Sequence, residues 1–86
     1  KRQSAAIKLS KEVDMMIVVG GRNSANTTRL AQLCTEHCVT HHIETVDELH
    51  DDWFNNIKKI GITAGASTPD WIIKEVYEKC KTWQAY

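Results

Sequence analysis

Two loops of this chain carry the small and polar residues that bind anions in proteins. The first runs from Gly20 to Asn26 and combines two glycines with the side chains of Ser24 and Asn26. The second, Thr63–Pro69, has the sequence TAGASTP and offers the hydroxyl of Ser67. Glycine lets a backbone approach a ligand closely, and the free N–H groups at a helix start attract negative charge. Both segments are therefore candidate phosphate-binding loops.

Each loop also has a simpler interpretation, in which it only turns the chain and caps the helix that follows. Ser24 or Asn26 would cap the helix after the first loop, and Ser67 or Thr68 the helix after the second. Neither loop has the spacing of a P-loop or of the Rossmann fingerprint GxGxxG. The residues alone leave both interpretations open.

The spacing of apolar residues predicts the elements that must position these loops, in the order α-β-α-β-α-β-α. The apolar run at residues 15–19 predicts a strand buried on both faces, as parallel sheets require. Further strands are predicted at residues 40–44 and 58–63, and helices at residues 1–13, after residue 26, at 46–54 and at 70–80. The last helix is expected to bury one face formed by Ile72, Ile73, Val76, Tyr77 and Cys80.

This alternation predicts an α/β fold, a three-layer sandwich with a small parallel sheet flanked by helices. The sheet would have three strands, or four if another strand precedes the first helix. Residues 1–80 are predicted to form a single α/β domain and residues 81–86 a C-terminal tail. If the first and third strands are neighbours, both candidate loops meet at one edge of the sheet. Two converging helix starts suit a diphosphate better than a single phosphate.

Composition narrows the range of partners. Eleven basic and eleven acidic residues give a formal net charge of zero, so we expect no nucleic-acid partner, although Arg22 or Arg29 could add positive charge to the first loop. No apolar run approaches the ~20 residues of a membrane span, so we expect no membrane partner. Three cysteines without a visible secretory signal predict free thiols in the reducing cytoplasm.

Five neighbouring residues have side chains that bind zinc: Cys34, His37, Cys38, His41 and His42. Cys34 and Cys38 stand one helical turn apart and could offer two ligands from one face. However, Cys34 also lies on the apolar stripe of its helix, and a free cysteine behaves as a small hydrophobic residue. We therefore predict core cysteines and surface histidines here, and no metal site in the chain.

The two loops also resemble segments of the LytB/IspH family of iron–sulfur reductases. Residues 17–31, IVVGGRNSANTTRLA, resemble the family's strand, glycine, NS-small-N and RL pattern, and residues 62–70, ITAGASTPD, resemble its TAGAS-x-P segment. Lys1-Arg2-Gln3 resembles the RQ that follows a cluster-ligating cysteine. The resemblance extends from Lys1 to about Val76.

The resemblance implies that the chain is the truncated last domain of an oxidoreductase of isoprenoid biosynthesis. Enzymes of this family convert hydroxymethylbutenyl diphosphate to isopentenyl and dimethylallyl diphosphate. They hold a 4Fe–4S cluster among three similar domains and receive electrons from a donor such as ferredoxin or flavodoxin. The matching cysteine ligand would stand before Lys1, so no cluster is expected on this chain and the isolated chain is expected to be inactive.

Carried over residue by residue, the resemblance implies four substrate-binding residues and no catalytic residue. Ser24, Asn26 and Ser67 would bind the diphosphate through their side chains. Ala25 stands where family members have a second serine, so it would contribute only its backbone N–H. Two other functions remain open from the residues themselves: a non-catalytic phosphate- or nucleotide-binding α/β module, and an interaction domain whose loops are only helix caps.

Overall fold

The structure of the 86-residue chain is a computed structural model that describes the backbone of residues 2–84 and the side chains of residues 3–82. Its elements are α1 Arg2–Ser10, β1 Met15–Val19, α2 Ala25–Thr35, β2 Val39–Ile43, two short 3-10 helices at Val46–Glu48 and Asp51–Phe54, β3 Ile60–Ala64 and α3 Asp70–Gln84. Lys1, the predicted start of the first helix, lies outside the described residues. The same holds for residues 85 and 86 of the predicted tail.

β1 is the central strand of a parallel sheet with the order β2-β1-β3. Met15 pairs with Val39 of β2 and with Ile60 of β3, and the register continues to Val19 on both sides. All of β1 is buried, because neighbouring strands cover its two edges and helices cover its two faces. This environment explains why its sequence, MMIVV, contains no polar residue. The predicted α/β fold with three parallel strands is confirmed.

Helices cover both faces of the sheet and complete the predicted three layers. Alternate residues of β1 point to opposite faces, so each apolar side chain of the strand serves one of two cores. The core beneath α1 and α2 is formed by Ala6, Met16, Val18, Leu30 and Cys34. The core beneath α3 and the 3-10 helices is formed by Met15, Ile17, Val19, Ile43, Ala64, Val76 and Cys80.

The segment that precedes β3 differs from its prediction. One continuous helix was expected at residues 46–54, but Leu49 and His50 adopt extended backbone angles (ψ 138° and 137°) and separate two 3-10 helices. The expectation of a capping box was correct, since the Glu48 carboxylate accepts a hydrogen bond from Thr45 N at 3.2 Å. The apolar side chains of the segment still pack against the core, namely Val46, Leu49, Trp53 and Phe54.

Two helices also differ in extent or exposure from their predictions. α1 ends at Ser10 rather than Val13, and the Ser10 hydroxyl donates to Ile7 O at 2.6 Å, a local bond typical of helix ends. α3 continues to Gln84, and Tyr77 is 52% exposed, so the prediction that Tyr77 is buried was wrong. Within residues 2–84, none of the helices has the length and apolar character needed to span a bilayer.

Candidate anion-binding site

The two candidate loops lie side by side because β1 and β3 are neighbours. Val19 and Ala64, the last residues of the two strands, are paired in register. Just beyond them, Gly65 N donates to Val19 O at 3.0 Å, and the Thr68 hydroxyl donates to the same oxygen at 2.9 Å. The condition on which the sequence prediction of one shared crevice depended is therefore met. We call this region, between Gly20–Asn26 and Ala64–Asp70, the crevice.

Ser24 begins helix α2 as its N-cap. Its backbone is extended (φ −82°, ψ 114°), and its hydroxyl oxygen accepts a hydrogen bond from Thr27 N at 3.2 Å. The same oxygen also accepts a hydrogen bond from the Thr27 hydroxyl at 3.0 Å. Ser24 is therefore a helix cap, as the simpler interpretation held. Its hydroxyl proton remains to be donated to another group, because a hydroxyl can accept twice and donate once.

Ala25 and Asn26 are the first two residues of α2. Their backbone N–H groups have no acceptor within the helix, because the first turn has no preceding carbonyls to bind. Both residues are exposed at the mouth of the crevice, and no hydrogen bond of the Asn26 side chain is found among the described residues. The helix dipole adds to the attraction of these groups for an anion.

The second loop supplies Ser67 and the start of α3. Ser67 is exposed, whereas Thr68 is half-buried and its hydroxyl holds the loop against Val19. The expectation that one of these hydroxyls caps α3 was wrong: the helix begins at Asp70, and Pro69 O accepts the bond from Ile72 N at 3.2 Å. Ser67 is thus an exposed residue of a turn that Thr68 anchors to β1.

Arg22 is not a free positive charge for the crevice. Its guanidinium contacts Glu44 at 3.1 Å and also Glu48, and its backbone N donates to Glu44 at 2.9 Å. The hydrogen bond from Arg22 lowers the pKa of the Glu48 carboxyl. Arg22, one of the two residues that could have added charge to the anion site, is thus paired with carboxylates, and its side chain fastens the first loop to the end of β2. Arg29 is exposed on α2.

Two carbonyl oxygens at this edge, those of Val19 and Gly20, already accept hydrogen bonds from the protein. His42 Nε2 donates to Gly20 O at 2.9 Å, the only possible direction because a carbonyl can only accept. Val19 O accepts from Gly65 and Thr68. The groups of the crevice that could bind an anion are the first N–H groups of α2 and the hydroxyls of Ser24 and Ser67.

The five candidate metal ligands do not converge on one site. Cys34 is buried and donates weakly to Ala6 O at 3.9 Å, while Cys38 lies 4.0 Å from the Thr40 hydroxyl. His41 stacks on Trp53 with ring centroids 3.7 Å apart, and His42 is bound to Gly20. Within residues 2–84, no group of three or more His, Cys, Asp or Glu side chains could hold a metal ion.

One residue of the crevice was missed by sequence reasoning. Thr27 is fully buried in the first turn of α2, and its side chain lies against both Gly20 and Gly65. A Cβ atom on Gly20 would lie 2.6 Å from Thr27 Oγ1, and one on Gly65 would also overlap that oxygen. Two features of the sequence could have indicated this role: the three-residue spacing of Ser24 and Thr27, and the glycines that directly follow β1 and β3.

By fold and site, the chain is a parallel α/β domain with a candidate anion crevice at the carboxyl edge of its sheet. The family is established by comparison with known proteins. The family model described as "LytB protein" matches residues 1–81. The chain therefore belongs to the LytB family, and the resemblance predicted from the two loops is confirmed.

Curated relatives of the chain carry the name 4-hydroxy-3-methylbut-2-enyl diphosphate reductase. The chain is 57% identical over 79 residues to the reductase of Syntrophotalea carbinolica and 54% identical over 76 residues to that of Aquifex aeolicus. These alignments cover 91% and 87% of the chain, but only 28% and 26% of the relatives. The chain thus spans only a little over a quarter of the length of these two relatives.

Solved structures of the same enzyme match the fold. A structure of (E)-4-hydroxy-3-methyl-but-2-enyl diphosphate reductase, described as the terminal enzyme of the non-mevalonate pathway, matches with a TM-score of 0.91 and 50% identity. That match covers 94% of this chain and 29% of the solved one. The reductase from Plasmodium falciparum matches with a TM-score of 0.87 and 29% identity, over 91% of this chain and 25% of its own.

Proposed function

We propose that the chain is the diphosphate-binding domain of a 4-hydroxy-3-methylbut-2-enyl diphosphate reductase. The observation that carries the proposal is the convergence of the α2 start and the β3–α3 loop on one crevice, joined through Val19 O. The names of relatives that share more than half of its aligned residues support the assignment of this enzyme. Ser24, Ala25, Asn26 and Ser67 are the proposed diphosphate contacts.

The four contacts would bind the diphosphate with neutral donors rather than with cations. Ser24 and Ser67 would donate through hydroxyls, Asn26 through its amide, and Ala25 through its backbone N–H. Hydrogen bonds to a charged acceptor are shorter and roughly twice as strong as neutral ones. Several such bonds, with the dipoles of α2 and α3, can hold a multiply charged anion without a lysine or arginine at the site.

The proposed reaction of the complete enzyme is a reductive dehydroxylation. The substrate's carbon–oxygen bond breaks, two electrons and two protons enter, and the hydroxyl leaves as water. The second proton forms the new carbon–hydrogen bond of isopentenyl or dimethylallyl diphosphate. An electron carrier such as ferredoxin or flavodoxin would supply the electrons. This chain would contribute binding and orientation of the diphosphate end, and none of its residues is proposed to transfer a proton or an electron.

The residues of this chain do not fit a 4Fe–4S cluster. Cys34 and Cys80 are buried in the two cores, and within residues 2–84 Cys38 belongs to no group of three or more His, Cys, Asp or Glu side chains that could hold a metal ion. Cluster ligation is therefore assigned to parts of the enzyme that this sequence does not include. Free cysteines at all three positions support a reducing, cytoplasmic location.

The test replaces the proposed contacts one at a time in the complete enzyme. Ser24→Ala, Asn26→Ala and Ser67→Ala should each weaken binding of pyrophosphate and raise KM roughly tenfold or more. The reason is that a hydrogen bond to a charged group contributes about 1.5–3 kcal/mol, and about 1.4 kcal/mol is tenfold. Ala25→Ser, which adds a hydroxyl donor at the start of α2, should tighten binding.

Ser4→Ala and Asn55→Ala are the matched controls, since both residues are exposed and lie outside the crevice. Calorimetric titration with pyrophosphate gives the affinities, and anaerobic turnover gives KM and kcat. If Ser24→Ala and Ser67→Ala both bind pyrophosphate as Ser4→Ala does, the crevice is not the diphosphate site. Pyrophosphate binding without any reductase activity of the complete protein would instead indicate a non-catalytic phosphate-binding module.

A further inference from the structure

Thr27 is the buried polar side chain at the centre of the crevice. It is fully buried, and its hydroxyl has one partner among the described residues, Ser24 Oγ at 3.0 Å. Its backbone N donates to the same oxygen at 3.2 Å. A threonine at this depth is unusual beside an apolar core, because a buried hydroxyl costs free energy unless it is hydrogen-bonded. The protein keeps this hydroxyl and directs it at Ser24.

The two bonds from Thr27 determine what Ser24 can do. A serine hydroxyl can accept two hydrogen bonds and donate one. Thr27 N and Thr27 Oγ1 fill the accepting positions. The Ser24 hydroxyl proton is therefore left for a group outside these two hydrogen bonds. Ser24 becomes an obligate donor, which is the role that binding of a phosphate oxygen requires.

We propose that Thr27 is a positioning residue for diphosphate binding, which fixes the Ser24 hydroxyl as an outward-pointing donor. This inference rests on the proposed diphosphate site and adds a residue that does not touch the ligand. Thr27 also sets the distance between the two loops, because its side chain fills the space that a Cβ atom of Gly20 or Gly65 would occupy. One side chain thus binds the Ser24 hydroxyl and packs against both loops.

Thr27→Val and Thr27→Ser in the complete enzyme separate the hydroxyl from the packing. Valine keeps the shape of threonine without the hydroxyl, and serine keeps the hydroxyl without the methyl group. If Thr27 positions Ser24, Thr27→Val should weaken pyrophosphate binding and raise KM roughly threefold to tenfold, the effect of a lost neutral hydrogen bond. Thr27→Ser should bind within about twofold of the wild type, and kcat should change less than KM in both.

A purely structural role for Thr27 predicts the opposite order. Thr27→Ser leaves a methyl-sized gap in a close-packed site and should melt at a lower temperature than Thr27→Val. If Thr27 positions Ser24, Thr27→Ser should have the lower melting temperature and Thr27→Val the lower affinity for pyrophosphate. If the variant with the lower melting temperature also has the lower affinity, the proposal is overturned. Should Thr27→Val fail to fold, Thr27→Ala and Thr27→Ser provide the comparison, because both lack the methyl group and only serine retains the hydroxyl.

The Ser24→Ala background distinguishes failure of this inference from failure of the proposed function. Thr27→Val should cause no further loss of pyrophosphate affinity once Ser24 is alanine, because its effect passes through the Ser24 hydroxyl. If Ser24→Ala alone leaves affinity unchanged, the proposed site itself is wrong. If Ser24→Ala weakens binding but Thr27→Val binds as the wild type does, the site stands and the positioning role of Thr27 is refuted.

Discussion

Gly65 has no room for a side chain, because Thr27 fills the space beside it. A Cβ atom built on Gly65 overlaps Thr27 Oγ1 and lies 3.4 Å from Thr27 Cβ. In Gly65→Ala, either the first turn of α2 or the β3–α3 loop must therefore move. Forcing an extra carbon into a well-packed site costs about 1–3 kcal/mol. We expect Gly65→Ala to lower the free energy of unfolding by about this amount and to weaken pyrophosphate binding.

The clash can be assigned to its atom by combining substitutions. Thr27→Ala removes Oγ1 and leaves the Cβ contact of 3.4 Å, which is ordinary packing. In that background, Gly65→Ala should cost less than about 0.5 kcal/mol, which gives a coupling of about 0.5 kcal/mol or more between the two positions. Thr27→Val keeps a carbon in place of Oγ1, so in that background Gly65→Ala should remain costly.

Urea unfolding of the 86-residue chain measures these changes in the free energy of unfolding. In thermal unfolding, a change of about 1 kcal/mol shifts Tm by roughly 4–8 °C for a domain of this size. Gly21→Ala is the matched control, because a Cβ there would approach nothing nearer than Glu44 Oε2 at 3.7 Å, and no glycine among the described residues has a positive φ. If Gly65→Ala is as stable as Gly21→Ala, or if Thr27→Ala fails to relieve its cost, the reasoning about this contact is refuted.

Burial, and then the charge of His50, lower the pKa of His41 below 6.5. Between 6.5 and this lowered pKa the unfolded chain binds more protons than the folded chain does. The free energy of unfolding should therefore decrease as the pH drops through that interval. His41→Phe, which keeps a ring for stacking, should flatten that loss in urea midpoints, and an unchanged slope would contradict it. Burial raises the pKa of Cys80 to about 11, so iodoacetamide at neutral pH should label half-buried Cys38 first, and equal rates would refute this protection. Asn56 has φ 65°, so Asn56→Gly should be neutral in thermal unfolding and Asn56→Ala should cost roughly 1 kcal/mol, whereas equal stability would show no strain.

The layers and the two candidate loops could be predicted from the sequence because both depend on local patterns. The run MMIVV marked the central strand, and the glycines and hydroxyls after Val19 and Ala64 marked the two loops. The pairing of β1 with β3 was left as a condition, since a strand's neighbours are set by long-range packing. The structure meets that condition.

What the sequence did not reveal depends on partners that are distant along the chain. Arg22 had the charge expected of an anion ligand, but Glu44 and Glu48, more than twenty residues away, bind it instead. Thr68 had the chemistry of a helix cap, but Val19 O lies within 2.9 Å of its hydroxyl. In both cases the chemistry of the side chain was identified correctly. The group that binds the side chain instead is distant in sequence, and only the folded structure shows that the two are in contact.

In the 46–54 segment, the packing was predicted correctly but the continuous helix was not. Its apolar residues were correctly expected to pack against the core, and its capping box is present. A helical stripe nevertheless does not require one continuous helix. Short helices depend on tertiary packing more than on propensity, and here extended angles at Leu49 and His50 still deliver Trp53 to its stack with His41.

The central position of β1 also implies an order of assembly on the ribosome. β1 can pair with β2 once residue 43 has been made, whereas its other neighbour begins only at Ile60. The second pairing closes a loop about twice as long, which adds only about 0.6 kcal/mol of entropy but must wait for synthesis. A nascent chain that ends before Ile60 can hold β1 and β2, two of the three strands, with α1 and α2. The proposed anion-binding crevice is then the last part of the domain to form, when Gly65 and Thr68 reach Val19 O.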